Sequence, residues 1–361
     1  MFFTRVAMMC ITAVTLALPE ASALWGVMDK VNAADLFPRE FRHNYVMRNK
    51  PIIIRGDPSA LAVSTNLTID VIMSLCGNKM ASLGNRVAKV LQHGITPAMY
   101  KILSERMNYT DGVTLDEAII ELNGNGPTRT IRDYFEGPFF SNPVKTAHDP
   151  RFPGALKDWS SLSDYMWPPS IRTWGLERCH NLVQRIREIL DEPNSSGNER
   201  RAIQRIPYVR AMFQAEGLQR PYRNPASTIR MFASGDNARG SPAHTHGYPS
   251  HSVMLVVKGA KRMVSWPEDQ KDKLYPLWAN KTGVAENGEV NGIFMANGFN
   301  MNLTRQPALQ DVVGGLEGQA EAGDLIYIPC GVVHALHSVG ESIALAWIRT
   351  EKVQCPRRVS T

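Results

Sequence analysis

Ser241-Pro242-Ala243-His244-Thr245-His246-Gly247 is the stretch on which the fold of this chain turns. Side chains on a strand alternate between faces, so His244 and His246, one residue apart, point the same way. The stretch sits in a β-rich region that opens with Thr228-Ile229-Arg230-Met231-Phe232 and runs to Glu351. Within it, Ser252-Val253-Met254-Leu255-Val256-Val257-Lys258 reads as a strand, followed by Gly259-Ala260-Lys261-Arg262. The region closes on Gly323-Asp324-Leu325-Ile326-Tyr327-Ile328-Pro329-Cys330-Gly331-Val332-Val333-His334. Two inward histidines from one strand and a third, His334, from a distant one describe a metal ion in the mouth of a small barrel.

Other roles for these residues are open on the sequence. Three histidines also fit a metal-free polar cleft with hydrogen-bonded rings. His251 is an alternative ligand, or simply the start of the strand that follows it. Asp324 suits a turn before its strand better than a metal. Tyr327 and Trp347 suit core or pocket wall. Lys261 on an inward strand position would hold an anion as a point charge; facing outward beside Arg262, it would be a solvated cation.

The combination of Ser-Pro-Ala-His at 241–244, Gly259-Ala260-Lys261-Arg262, Trp266-Pro267, Leu274-Tyr275-Pro276 and the Gly323–His334 run resembles the JmjC and cupin-like oxygenases. Gly323, Pro329, Gly331 and His334 also match the second cupin motif, with Ser338 where cupins usually carry Asn. Phe41-Arg42-His43-Asn44-Tyr45 and Lys50-Pro51-Ile52-Ile53-Ile54-Arg55-Gly56 resemble the lead-in of the JmjC hydroxylases. The resemblance implies an α+β fold: a double-stranded β-helix, the jelly-roll or cupin barrel, with a mainly helical N-terminal region packed on it.

It further implies Fe(II) at His244, His246 and His334, with 2-oxoglutarate as cosubstrate held by Lys261 and by Ser241, three residues before the first metal histidine. The family's metal motif is His-x-Asp or His-x-Glu with a distant His, and His246 stands where the carboxylate belongs. His-x-His-Gly at this point looks most like the endoplasmic-reticulum-luminal branch, typified by JmjC domain-containing protein 8. Three neutral imidazoles leave the ion more electron-poor than two with a carboxylate, and would equally suit Zn(II). The first expectation is therefore a 2-oxoglutarate-dependent dioxygenase hydroxylating a protein side chain. The alternatives are a catalytically inactive binding or scaffold protein in the lumen, and a three-His cupin metalloenzyme that does not use 2-oxoglutarate.

The N-terminus agrees with a secretory setting. Met1 to Ala23 reads as a signal peptide: Arg5 before an apolar run from Val6 to Leu18, then Ala21-Ser22-Ala23 at the cleavage positions. No later window is long and apolar enough to span a bilayer. Its removal takes Cys10 and leaves Cys76, Cys179, Cys330 and Cys355, which permit two disulfides with three connectivities. Cys330, inside its Pro-Cys-Gly turn, suits a buried free thiol, and Cys355 in the tail is the easier one to bridge. Asn66, Asn108, Asn194, Asn280 and Asn302 are each in an Asn-x-Ser/Thr sequon, expected to carry N-glycans in that pathway. The C-terminus is not a retrieval signal, so lumenal residence and secretion are both open. Forty Lys and Arg against 34 Asp and Glu give a net charge of +6, but the basic residues are scattered. That argues a solvated surface and no nucleic-acid track; the expected partner is a protein.

Residues 34–225 read as mainly helical, 226–351 as the barrel and 352–361 as a tail. Pro38 with Phe37, Phe41 and Tyr45 four apart argues an amphipathic helix, stopped by Lys50-Pro51 before the strand Ile52-Ile53-Ile54. Thr68 and Gly77 bound a helix over Ile69–Cys76. Thr114-Leu115-Asp116-Glu117 is a capping box, and Leu182, Ile186, Ile189 and Leu190 share one helical face. The run near Gln219 to Pro225 is the expected seam. No catalytic constellation stands in this half.

Overall fold

The computed structural model describes residues 25–82, 128–136, 140, 171–190, 206–213, 229–235, 241–246, 250–279, 290–294, 296, 298–299, 303 and 306–350. The capping box at Thr114 and the seam near Gln219 lie outside them, as do four of the five sequons.

The first strands are short: β1 (Gly26–Val27), β2 (Lys30–Asn32) and, after helix α1 (Pro38–Phe41), β3 (Ile52–Arg55). Pro38 opens α1, whose backbone then widens into a π-type turn over Arg42–Val46. Phe41 and Tyr45 are buried as the spacing predicts, but Phe37 precedes the first turn and is 69% exposed. Asp57 caps α2 (Pro58–Asn66), accepting from the Ala60 amide at 2.8 Å, with Pro58 at the first helical position where no amide is needed. Thr68 caps α3 (Ile69–Cys76) by accepting from Val71 N, and Gly77 ends it, as expected.

Further on come β4 (Met80–Ser82), β5 (Thr128–Thr130), α4 (Ile131–Glu136), β6 (Ile171–Gly175), α5 (His180–Ile189) and α6 (Pro207–Phe213). In α5, Leu182, Val183 and Ile186 are buried, and Leu190 just beyond it packs with them. A disulfide from Cys76 to Cys179 ties the end of α3 to the start of α5.

The remaining strands are β7 (Ile229–Ser234), β8 (Ser241–His246), β9 (Ser250–Trp266), β10 (Pro276–Ala279), β11 (Val290–Phe294), β12 (Leu316–Glu321), β13 (Leu325–Ile328) and β14 (Val333–Thr350). Apart from β4 and β5, which pair with each other, all join one mixed sheet in the order β10-β11-β8-β14-β9-β13-β3-β2. Off this path β7 joins β14 to β6, and β12 joins β9 to β1.

The long strands β9 and β14 carry the architecture. They run antiparallel to each other, and each turns a corner midway, at Gly259 (φ 69°) and Gly340 (φ 68°). A Cβ at Gly259 would lie 2.1 Å from the Glu341 carbonyl oxygen, so only glycine lets the backbones meet there. Before its corner β9 pairs with β13, and after it with β12. Likewise β14 pairs first with β8 and then with β7.

The two legs curl toward each other around an inner cluster drawn from both: Met254 and Val256 with Met263, and Leu336 with Ala344 and Ala346. Alternate residues point outward. On one leg Val253, Leu255, Tyr327, Leu345 and Trp347 pack under Phe41, Val63, Ile72, Ile186 and Tyr208. On the other, Val264, Trp266, Val333 and Ala335 pack with Trp25, Phe294 and Leu309. Each such burial contributes about 1.5–3 kcal/mol relative to exposure. The result is a curled, mixed half-barrel with helices on one face, which fits a cupin or jelly-roll fold.

The N-terminal strand is part of this packing. Trp25 meets Trp266 edge-on, with ring centroids 5.6 Å apart, and donates its indole N–H to Gly298 O at 3.1 Å. Cys330, expected as a free thiol, is disulfide-bonded. Its turn lies at the end of the sheet, from which a side chain can reach chain outside the strands.

Candidate metal and cosubstrate site

The antiparallel register of β8 and β14 sets His244 directly opposite His334. Their rings come within 4.3 Å, centroid to centroid, inclined at 53°, and both residues are buried. Immediately after this pair the register shifts, so that Leu336 meets Ser241. A bulge of this kind re-aims side chains beside sites. His246 ends β8 opposite Val290. The structure describes the backbones of His246 and Ser241 but not their side chains. Among the described residues no three His, Cys, Asp or Glu side chains converge as metal ligands.

His334 is oriented by its own turn. Its Nδ1 lies 3.0 Å from the Val332 carbonyl oxygen. A carbonyl only accepts, so Nδ1 carries a proton; in the neutral ring that leaves the lone pair on Nε2, the tautomer a metal ligand needs.

Lys261 lies on the inner face. Its ammonium donates to the Ser338 hydroxyl at 2.7 Å, and both residues are buried. The register places Ser338 opposite Lys261 and His334 opposite Ser265. Four residues of strand thus separate the lysine from the histidine pair, about 13 Å at ~3.3 Å per residue. Lys261 is two residues from the Gly259 corner, while His334 stands near the start of β14, at the far end of the same leg. Ser338, where cupins usually carry Asn, is the partner that sequence reasoning did not assign. Its place four residues after His334 on a strand was the signal, because it puts both on one face.

The remaining polar residues sort themselves by face. His251 is buried with Nδ1 2.7 Å from the Tyr327 hydroxyl and its ring parallel to the tyrosine's within 8°. It shares strand parity with Val253 and Leu255, so it faces the helices and not the inner cluster that holds Met254. The alternative in which His251 is a ligand therefore loses its geometric basis. Tyr327 and Trp347 belong to the same helix-side core. Asp324 closes the turn before β13, accepting from Glu321 N at 3.0 Å with Arg55 at 3.8 Å. Burial raises its pKa, while the Glu321 amide, Arg55 and Lys30 pull it back.

No family model matches the chain. A protein of Arabidopsis thaliana named lysine-specific demethylase JMJ31 is 32% identical over 120 residues, which are 33% of this chain and 20% of that protein. This chain therefore spans a fifth of the length of the curated relative it matches. That match and the curled half-barrel together support a JmjC/cupin-like family. They do not extend to the luminal type within it.

Proposed function

We propose that the chain is a JmjC-type oxygenase of the secretory pathway whose half-barrel completes a double-stranded β-helix. In this reading His244, His246 and His334 hold Fe(II), and Lys261 with Ser241 holds 2-oxoglutarate. The bound metal supplies the chemistry that couples O2 and 2-oxoglutarate to hydroxylation of a protein side chain, leaving succinate and CO2. The chain's own residues do the positioning. His334 presents Nε2 because Val332 holds Nδ1. Lys261 offers a fixed cation in a water-poor interior, where an ammonium–carboxylate contact is stronger than in water.

The observation that carries the proposal is Lys261 and the histidine pair, all buried, on one inner face of the half-barrel. The Cys76–Cys179 disulfide and the bonded Cys330 support an oxidising compartment, where such bonds persist. Asn66, the sequon residue among those described, is exposed at the end of α2, with its Nδ2 donating to the Ala62 carbonyl at 2.8 Å.

The test is anaerobic titration of the purified protein with Fe(II), with and without 2-oxoglutarate. The expected result is a weak visible charge-transfer band that needs both additions and is lost in His334→Ala. No band from a protein that folds cooperatively would remove the oxygenase reading. A second reading, a lumenal binding protein without turnover, is favoured by His246 standing where the family has its carboxylate. That negative result is what it expects.

A further inference from the structure

Asn49 stands between the π-type turn and β3, at φ 54°, in the left-handed region that Asn and Gly enter most readily. The residue is buried, and its Nδ2 lies 2.6 Å from the carbonyl oxygen of Cys330, 281 residues further along the chain. Because a carbonyl only accepts, the amide has to present its nitrogen here. Its Oδ1 then faces the interior with no hydrogen-bond partner among the described residues. An unusual backbone angle and an unmet buried acceptor are both tolerated to keep this one bond. The neighbouring chain holds Asn49 in place. Lys50 N donates to Tyr45 O at 2.9 Å, the Lys50 ammonium pairs with Asp29 at 2.6 Å, and the Tyr45 hydroxyl meets the same carboxylate at 3.1 Å.

Cys330 belongs to the turn that delivers His334. Fixing its carbonyl fixes the peptide plane to Gly331, whose φ of 71° then directs the following Val332. The Val332 carbonyl in turn takes the Nδ1 proton of His334. The disulfide at Cys330 restrains the side chain of that residue and not its carbonyl. One continuous set of contacts thus leads from the N-terminal lead-in to the ring of a candidate ligand.

We propose that Asn49 is a positioning residue that, through the Cys330-Gly331-Val332 turn, holds His334 in the tautomer with the proton on Nδ1. Its importance for metal binding rests on the reading of His334 as a ligand; the tautomer itself does not.

The experiment uses the metal-free full chain with 15N-labelled histidine at mildly alkaline pH, read by long-range proton–nitrogen correlation. His334→Gln assigns the signals. The wild type should show a protonated Nδ1 and an unprotonated Nε2. Asn49→Gly keeps a residue at ease with positive φ while removing the amide, and Asn49→Asp keeps the shape but turns an acceptor toward the carbonyl. Both should move the two His334 nitrogens toward averaged shifts, and Asn49→Gly should still melt in one cooperative transition, at a midpoint lowered by the lost bond to the Cys330 carbonyl. If the site binds Fe(II), its affinity should fall by roughly 10- to 100-fold in Asn49→Gly, as when partners of metal ligands are lost. A wild-type His334 protonated on Nε2, or shifts unchanged in Asn49→Gly, would overturn the proposal. Averaged shifts in Asn49→Gly in a protein that binds no Fe(II) would keep Asn49's role and remove the ligand reading instead. Should Asn49→Asp fail to fold, the wild-type and Asn49→Gly spectra decide alone.

Discussion

The ammonium of Lys261 meets the hydroxyl of Ser338 at 2.7 Å across the β9–β14 pair, both inside the curled sheet. A buried ammonium is expensive to keep and well suited to an incoming anion, and the Ser338 hydroxyl is one of the groups that hold it. Lys261→Met, an apolar side chain of similar length, should hold or raise the thermal midpoint. It should also weaken 2-oxoglutarate by roughly ten- to a hundredfold, the loss of a charge-assisted bond of about 1.5–3 kcal/mol. Ser338→Ala should instead destabilise the fold by about 1–3 kcal/mol, by removing a hydrogen-bond partner of a buried charge. Equal effects of the two substitutions on stability would show that Lys261 is structural.

The two corner glycines differ, and substitution should separate them. Alanine at Gly259 meets both a positive φ and a carbonyl oxygen at 2.1 Å, whereas alanine at Gly340 meets the φ alone, with no atom within 4 Å. Gly340→Ala should cost about 1–2 kcal/mol, the penalty of the left-handed region. Gly259→Ala should cost clearly more, read as the shift in urea midpoint.

Asp57 is held above its ordinary carboxyl value of 3.8 by burial, against the bonds it accepts from Ala60 and Ser59. The folded state then binds more protons than the unfolded one just above that pH. Stability attributable to this group should therefore fall as pH rises from 3.8 through the folded value, and level off beyond. Asn serves equally well as a helix cap, so Asp57→Asn should remove that part of the slope while α2 stays folded. Denaturant melts across the acid range would reveal it, and a slope of opposite sign would contradict the burial argument.

Cutting the Cys76–Cys179 link, which joins residues 103 apart, should cost about 2–5 kcal/mol, chiefly because the unfolded chain regains the freedom of an open loop. Cys76→Ser, Cys179→Ser and the double variant should melt alike, since each removes the same bond.

Much of this was legible one residue at a time. Thr68 and Gly77 bounded α3 because capping is local chemistry, and the strands of the β-rich region showed in their composition. The inward side of Lys261 was readable only given a face to compare with, and the side of His251 followed once Val253 and Met254 were assigned. Two- and three-residue strands such as β1 and β2 carry too few residues for any period, so their pairing with β12 and β3 left no trace. The helix after Asp57-Pro58 had its cap in plain view, but with Ala60 and Val63 as its buried residues it lacks the apolar stripe that would have announced it. The 17-residue run of β9 was expected to stop before Gly259, because a glycine in a strand reads as an end when its partner strand is unknown. Asn49 was invisible for a related reason: its worth lies in a carbonyl supplied by distant chain.

Since β9 and β14 each serve both legs, neither leg can open without fraying the strands of the other. The mouth with its histidines and the surface beneath the helices are in this sense one cooperative unit. Occupancy at the mouth should therefore slow amide exchange not only near His334 but also at Val253, Leu255 and Leu345, which lie on the leg under the helices. A substitution beneath the helices can by the same token loosen the grip on a ligand that it never touches.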